Sequence, residues 1–276
     1  MSNFGPVVSA GWLADHLGES DLAVIDCRWY LDGRSGREAY ETAHIPSAVW
    51  ADIDVDLSAP PSADGGRHPL PDPIDFAASM SRLGIGDTTR VVAYDDVGGV
   101  IAGRLWWMLD VLGQEAAILD GGIGAWDRPL STDAVQPAPA AFGVTPWPTD
   151  RIMTKDEMRN ALGSDLTMLD ARSADRFAHG GPVDPRPGHI PGACSAPATD
   201  NLVDGRLRTA DELAAHYGAF GADAGDVVAY CGSGVSACID LLAMRHAGLP
   251  DGKLYVGSWS AWGADESLPN EVGSDD

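Results

Sequence analysis

The sequence predicts an α/β protein made of two tandem copies of one module, each a mostly parallel sheet flanked by helices. Short β-rich runs alternate with helical stretches, which is typical of parallel strands covered by helices on both sides. A set of sequence landmarks also occurs twice, in the same order, along the 276 residues. Such repetition indicates an internal duplication.

Each copy opens with a helical stretch and an apolar strand that ends in an Asp-x-Arg triplet. In the first copy the helix spans 9–16, the strand 22–25 and the triplet 26–28. In the second copy the helix spans 154–162, the strand 167–169 and the triplet 170–172.

Three more landmarks follow each triplet in the same order. They are a His-Ile-Pro segment at 44–46 and 189–191, a Val-Val-Ala-Tyr strand at 91–94 and 227–230, and a segment ending in tryptophan at 119–126 and 255–262. Because His44 and His189 occur in both copies, we expect them to be structural.

Residues 131–150 separate the two copies. They contain four prolines and little periodicity, which predicts an extended linker. We place the boundary near Ala140, so that the first domain spans residues 1–140 and the second spans 141–276.

Composition argues against several classes of partner. The formal charge of −23, with Lys155 and Lys253 as the lysines, disfavours binding to nucleic acid or to an anionic membrane. The N-terminus lacks a signal-peptide pattern, and no stretch approaches the ~20 apolar residues of a membrane span. Four scattered cysteines fit a reducing compartment better than a disulfide scaffold. We therefore expect a cytoplasmic protein.

Residues 227–248 are the stretch with the clearest chemistry. A short apolar strand leads to Cys231, and a helix-like segment follows at 237–247 before Gly248. The intervening Gly-Ser-Gly-Val-Ser must turn the chain tightly, which two glycines allow. Successive backbone N–H groups at a helix N-terminus favour a thiolate over a thiol. Cys231 is therefore the predicted nucleophile, although a buried strand-end cysteine is the alternative.

Phosphatase chemistry fits this loop poorly. A cysteine-based phosphatase needs an arginine at the far end of the loop to bind the phosphate dianion, where this chain has Ala237, and a histidine before the cysteine, where it has Tyr230. The CGSGVSAC segment instead resembles the active-site loop of rhodanese-type sulfurtransferases, and most closely that of the 3-mercaptopyruvate sulfurtransferases. The duplicated DxR and HIP landmarks and the GSWxxW-like ending share this resemblance, which covers essentially the whole chain.

The resemblance implies two rhodanese-like domains, of which the first is catalytically silent because Asp95 replaces the cysteine. It also implies that Arg176 and Arg186 hold the carboxylate and carbonyl of the substrate. In the same family pattern, Asp54, His68 and Ser233 form a proton relay. A purely architectural role for Asp54 and His68 remains open. The remaining loop residues expected to bind substrate are Gly232, Gly234, Val235 and Ser236.

The resulting hypothesis is a sulfurtransferase that moves a sulfane sulfur from 3-mercaptopyruvate, through a Cys231 persulfide, to a thiol or cyanide acceptor. A thioredoxin-like protein is one possible thiol acceptor. Alternatives are a thiosulfate sulfurtransferase, a persulfide-carrier module with little turnover, and a redox or arsenate-handling thiol enzyme. No metal-ligand spacing or dinucleotide fingerprint is present, so no metal or cofactor is expected. Cys238 is expected to be a packed residue, with redox pairing to Cys231 as its alternative.

Overall fold

The chain divides into two compact units in a computed structural model that describes residues 4–273. Unit 1 runs to Ser58 and also includes residues 71–147 and 204–207. Unit 2 comprises residues 59–70, residues 148–203 and the chain from Arg208 onward. Residues 59–70 of the first half belong to unit 2, and residues 204–207 of the second half belong to unit 1. The predicted domain boundary near Ala140 stays a prediction.

Unit 1 is built on a sheet of parallel strands. Its elements are β1 (Val7–Val8), α1 (Ala10–His16), β2 (Leu22–Asp26), α2 (Gly36–Thr42), β3 (Val49–Trp50), α3 (Pro73–Arg82), β4 (Arg90–Tyr94), α4 (Gly103–Asp110), β5 (Ala116–Leu119) and a 3-10 turn at Gly122–Ala125. In the described residues the strand order is β1-β5-β4-β2-β3. The register places Val24 beside Val92 and Val92 beside Ala117, so apolar residues meet across the sheet centre.

Unit 2 repeats this plan. Its 3-10 turns lie at Thr149–Arg151 and Ala198–Asn201, and its helices are α5 (Lys155–Asn160), α6 (Ala174–His179), α7 (Ala210–Gly218), α8 (Ala237–His246) and α9 (Ser258–Trp262). Its strands are β6 (Thr167–Asp170), β7 (Cys194–Ser195), β8 (Leu202–Val203), β10 (Val227–Tyr230) and β11 (Lys253–Leu254). The strand β9 (Arg206–Leu207) follows β8 in the chain but belongs to unit 1. The described strands of its main sheet run β11-β10-β6-β7, each parallel to its neighbour. The predicted architecture of tandem parallel-sheet modules is confirmed.

The helices begin where local capping chemistry allows. Ser9 caps α1 by accepting a hydrogen bond from Trp12 N at 3.1 Å. Thr154 caps α5 in a capping box with Glu157. The helices predicted at 9–16 and 154–162 are therefore confirmed, with their first residues acting as caps. No helix among residues 4–273 is both long and apolar enough to cross a membrane.

The linker packs as part of unit 1 up to Trp147. Phe142 and Trp147 contact Phe76 of α3, with ring centroids 5.8 and 5.0 Å away. Trp147 Nε1 also donates to Pro71 O at 2.8 Å. These aromatic contacts hold a segment without helix or strand against the surface of its own module.

Each module contains the same buried ion pair, at the end of β2 in unit 1 and at the end of β6 in unit 2. Arg28 donates from Nη2 to Asp26 Oδ2 at 2.6 Å, and Arg172 makes the identical bond to Asp170. Each guanidinium also reaches a backbone carbonyl beside the His-Ile-Pro segment, at 2.7 Å for Ala43 O and 2.9 Å for Gly188 O. The Asp-x-Arg landmark therefore ties the strand end to the following loop in both copies.

Removal of either buried arginine is expected to destabilise its module. Arg28→Leu and Arg172→Leu each leave a buried aspartate without its counter-charge, which typically costs about 3–5 kcal/mol. Urea unfolding monitored by tryptophan fluorescence measures the loss. The matched surface variant Arg159→Leu removes a half-exposed ion pair with Asp156 and should change the stability by less than about 0.5 kcal/mol. Losses below about 1 kcal/mol for both buried variants contradict this role of the pairs.

Candidate active site

Cys231 lies at the carboxyl end of β10, where the chain turns into α8. Its side chain is buried, with 1% of the residue exposed. Gly234 adopts φ +75°, and a Cβ at this position would lie 2.6 Å from Val256 O. Both the conformation and the close approach require glycine. The tight turn predicted from the two loop glycines is thus present, and Gly234 is the position at which the turn requires a glycine.

The backbone around Cys231 is fixed from both sides. Cys231 N donates to Ser258 Oγ at 3.1 Å, and Trp259 N donates to Cys231 O at 2.9 Å. Ser260 N donates to Gly232 O, also at 2.9 Å. The start of α9 therefore holds the first two loop residues in place. The thiol itself accepts a hydrogen bond from Gly234 N at 3.2 Å.

Ser258 is held in a strained conformation. Its φ is +52°, which non-glycine residues rarely adopt, and it is fully buried. Its hydroxyl accepts from Cys231 N and donates to Tyr255 O at 2.9 Å. The corresponding residue of the first copy is Gly122, with φ +56°. The second copy thus carries a serine, at a conformational cost, where the first has glycine.

The matching loop of unit 1 is filled by its own side chain. The carboxylate of Asp95 accepts hydrogen bonds from four backbone N–H groups at 2.7–2.9 Å, those of Val97, Gly99, Ile101 and Ala102. Burial raises the pKa of Asp95, and these four bonds oppose the rise. The turn in unit 1 is therefore an anion-binding nest that is already occupied.

His68 and Ser233 meet inside unit 2, because the segment 59–70 belongs to that unit. His68 Nδ1 and Ser233 Oγ share a hydrogen bond of 2.8 Å, and both residues are buried. Asp54 lies in unit 1, where its Oδ2 accepts from Trp29 Nε1 at 3.0 Å. The structure thus brings together His68 and Ser233 of the predicted relay.

Sequence reasoning missed Arg67, which lies beside the cysteine loop. A Cβ on Gly232 would lie 3.0 Å from Arg67 Nη2. Arg67 Nη1 donates to Val183 O at 2.8 Å. Burial lowers the pKa of Arg67, and the nearby charge of Arg176 lowers it further. A signal was present in the Gly-Gly-Arg-His segment, since Arg67 directly precedes His68 in a chain poor in positive charge.

Arg176 and Arg186, the two predicted substrate ligands, have different surroundings. Arg176 Nη2 would lie 2.7 Å from a Cβ on Gly232, so its guanidinium flanks the loop beside Arg67. It also binds Asp184 through two bonds, at 2.9 and 2.6 Å. Arg186 lies 5.7 Å from the Trp259 ring, and its Nη2 donates to Leu268 O at 2.8 Å.

Cys238 and Cys27 are both packed in the interior. Cys238 is buried on α8 and donates from Sγ to Gly234 O at 3.4 Å. Burial raises the pKa of Cys27 well above its ordinary value, and nearby carboxylates, that of Asp26 first, add to the rise. Within residues 4–273, no group of histidine, cysteine and acidic side chains is placed to hold a metal ion.

Comparison with known proteins identifies the family. A model of the rhodanese-like domain matches residues 9–129 and again residues 154–265. The chain belongs to the rhodanese-like family. Cys231 lies in the second rhodanese-like match and Asp95 in the first.

Relatives of this family match nearly the whole chain. A probable 3-mercaptopyruvate sulfurtransferase of Pseudomonas aeruginosa is 40% identical, over 97% of this chain and 98% of its own. A putative thiosulfate sulfurtransferase of Mycobacterium tuberculosis, SseB, is 36% identical over 95% of each chain. The crystal structure of the 3-mercaptopyruvate sulfotransferase SseA from Escherichia coli aligns with a TM-score of 0.80 at 33% identity, covering 92% of this chain and 98% of that one. These findings confirm the predicted family and the enzyme class of sulfurtransferase.

Two substitutions at Ser258 should separate its strain from its hydrogen bond. Ser258→Ala keeps the strained φ and leaves the buried Cys231 N–H unpaired, so we expect a loss of about 1–2 kcal/mol. Ser258→Gly loses the same bond but relieves about 1 kcal/mol of strain, so its net effect should be near zero. Urea unfolding measures both. The interpretation fails if the glycine variant is the less stable of the two.

Proposed function

We propose that this rhodanese-family enzyme transfers a sulfane sulfur from 3-mercaptopyruvate to a thiol or cyanide acceptor through a persulfide on Cys231. The observation that most directly supports transfer from an anionic sulfur donor is the pair of guanidinium groups, Arg67 and Arg176, beside the loop that holds the thiol. Together they place positive charge next to a nucleophilic sulfur, as an anionic sulfur donor requires. Relatives from P. aeruginosa and E. coli that match nearly the whole chain have 3-mercaptopyruvate sulfurtransferase in their names, which supports 3-mercaptopyruvate as that donor.

The donor has two groups that arginine can bind. Its carboxylate carries a full charge, and its carbonyl oxygen gains charge as the carbon–sulfur bond breaks. We assign both groups to Arg67, Arg176 and Arg186, with Arg67 as the addition that the structure supplies. Because Asp184 binds Arg176 with two bonds, a donor at Arg176 shares that guanidinium with Asp184. The loop residues Gly232, Gly234, Val235 and Ser236 surround the sulfur being transferred.

The transfer takes place in two steps. The Cys231 thiolate attacks the donor sulfur, a sulfur–sulfur bond forms, and the carbon–sulfur electron pair moves to carbon to give the enolate of pyruvate. That enolate takes up a proton and leaves as pyruvate. An acceptor thiolate or cyanide then attacks the outer sulfur of the persulfide, which releases the Cys231 thiolate. No external oxidant or reductant is consumed.

The proton for pyruvate can come through His68 and Ser233. Their 2.8 Å hydrogen bond lies next to the nucleophile's loop, and a histidine bonded to a hydroxyl is suited to proton movement near neutral pH. The predicted relay role of Asp54, which lies in unit 1, stays a prediction. Architectural support of the loop is the alternative role for both Asp54 and His68.

We further propose that the second domain, residues 141–276, is catalytic and that the first, residues 1–140, is silent while lending the segment 59–70 to the catalytic unit. Asp95 supports this division, because its carboxylate occupies the backbone donors of the first loop. A carboxylate cannot accept a sulfur atom. We place the reaction in the cytoplasm, with a small thiol or a thioredoxin-like protein as acceptor.

Thiosulfate is the second candidate donor, and one observation favours it. The cysteine loop itself contains no basic residue, which by sequence argues against a compact dianion. The structure nevertheless brings Arg67 and Arg176 to Gly232, so positive charge is present where thiosulfate would need it. The M. tuberculosis relative named as a putative thiosulfate sulfurtransferase points the same way. A side-by-side rate measurement on both donors decides between them.

Cys231 should be the residue that carries the sulfur. After treatment with 3-mercaptopyruvate in the absence of acceptor, mass spectrometry should find one added sulfur on the peptide containing residue 231. Cys231→Ser should lose both the adduct and turnover. Cys238→Ser serves as the matched control and should retain the adduct on Cys231. Appreciable turnover by Cys231→Ser would falsify the mechanism.

Arginine substitutions should distinguish the two donors. Arg186→Ala should lower kcat/KM for 3-mercaptopyruvate by about ten- to a hundredfold, the usual effect of losing one charge-assisted contact, and should affect thiosulfate less. Arg67→Ala should impair both donors, because its guanidinium lies at the loop that holds the transferred sulfur. Arg159→Ala, on the exposed side of α5, should impair neither. Equal losses on both donors in Arg186→Ala would favour thiosulfate as the natural donor.

A further inference from the structure

A small hairpin precedes Arg67 and His68 in the chain. Ser62 and Gly66 exchange two backbone hydrogen bonds, of 3.0 and 2.9 Å, and residues 63–65 form the tip between them. The side chain of Ser62 also accepts from Gly65 N at 3.0 Å. We call residues 62–66 the hairpin. Because Arg67 and His68 follow it directly, the position of the hairpin sets where their backbones lie.

Lys155 binds the tip of this hairpin. Its ammonium lies 2.8 Å from Asp64 Oδ1 and donates to Ala63 O at 3.2 Å. Asp265 Oδ2 lies 3.7 Å from the same nitrogen. Lys155 is the first residue of α5, and its side chain is only 17% exposed. One ammonium therefore contacts both a side chain and a carbonyl of the tip from a fixed helix.

Backbone contacts hold the other side of the hairpin. A Cβ on Gly66 would collide with Gly257 O, and one on Gly257 would collide with Asp64 O. Arg67 N donates to Ser260 Oγ at 3.0 Å. The hairpin thus rests against the same segment that fixes the cysteine loop.

An open surface pocket lies beside the tip. A cavity of about 260 Å³ is lined by Asp64 and Gly65 of the hairpin, by Met153 and Lys155 before and at the start of α5, and by Tyr255 and Val256. Empty space on this side provides few van der Waals contacts to keep the tip in place. On this side of the tip, Lys155 supplies polar contacts to the Asp64 side chain and the Ala63 carbonyl.

We propose that Lys155 is a positioning residue that acts through the hairpin on Arg67, while His68 stays held by its hydrogen bond to Ser233. This inference rests on the proposed function, since it assigns Lys155 an effect on donor binding. Lys155 contacts the tip of the hairpin, at Ala63 O and Asp64 Oδ1. Loss of its ammonium should loosen the hairpin and weaken the hold of Arg67 on the donor, while the loop around Cys231 keeps its own bonds to Ser258 and Trp259.

Kinetics of Lys155→Met provide the first test. We expect the KM for 3-mercaptopyruvate to rise by about fivefold, with kcat changed by less than about twofold, because binding is lost while the nucleophile is unaltered. Lys155→Arg, which keeps a cationic donor, should restore most of the affinity. Lys253→Met makes the same substitution at the other lysine and should leave both constants unchanged. An unchanged KM in Lys155→Met overturns the proposal.

A double-mutant cycle tests whether the effect runs through Arg67. If it does, Lys155→Met should change KM little in a protein that already carries Arg67→Ala, so the two effects should be strongly non-additive. General destabilisation by the lysine substitution would instead add its full effect in both backgrounds. Additive losses therefore overturn the proposal.

Limited trypsin digestion tests the hairpin without reference to turnover. Cleavage after Arg67 requires the segment to detach, so it should be about fivefold faster in Lys155→Met than in the wild type or in Lys253→Met. Unchanged cleavage overturns the role of Lys155 whatever the enzyme's donor proves to be. Faster cleavage in a protein that turns over neither donor would support the attachment by Lys155 and refute the proposed function instead.

Discussion

The backbone of Cys231 is bound on both sides, and the geometry of the whole site depends on this attachment. Ser258 Oγ accepts a hydrogen bond from Cys231 N, and Trp259 N donates one to Cys231 O. The strand β10 places Cys231 at the carboxyl ends of the strands. A strand end held this way cannot rotate its peptide groups, so the thiol and the N–H of Gly234 keep their relation. The dipoles of the turn are therefore oriented before any donor arrives. Dipoles oriented in advance stabilise a negative charge on sulfur without a free-energy cost of reorganisation.

Strain at Ser258 fits this view of the site. The residue adopts a left-handed conformation, and its counterpart in the first module is a glycine that does so without steric cost. The corresponding loop of the first module has no thiol to hold, since Asp95 takes the place of the cysteine. The second module keeps an unfavourable conformation where a hydroxyl contacts the nucleophile's backbone, as expected when strain is retained at functional sites.

Much of this fold could be predicted because its signals are local or repeated. The strand before Cys231, the helix after it and the Asp-x-Arg landmarks depend on apolar periodicity and on residue types that recur in both copies. Arg67 and its hairpin could not be placed in the same way. The segment 59–70 is rich in glycine and proline and has no periodic pattern, and a loop's partner depends on tertiary contacts that periodicity does not encode. The bidentate contact of Arg176 with Asp184 was missed for the same reason.

Burial of the thiol has a consequence for the lifetime of the sulfur it would carry. Only 1% of Cys231 is exposed, so bulk solutes meet a persulfide there through a narrow approach. Such burial would slow hydrolysis and adventitious thiol exchange of a persulfide at this position. A small ion, or a thiol carried on a protruding segment, would then reach the sulfur more readily than a bulky acceptor. Steric access, rather than thiol chemistry alone, would then select the acceptors that can take up the sulfur.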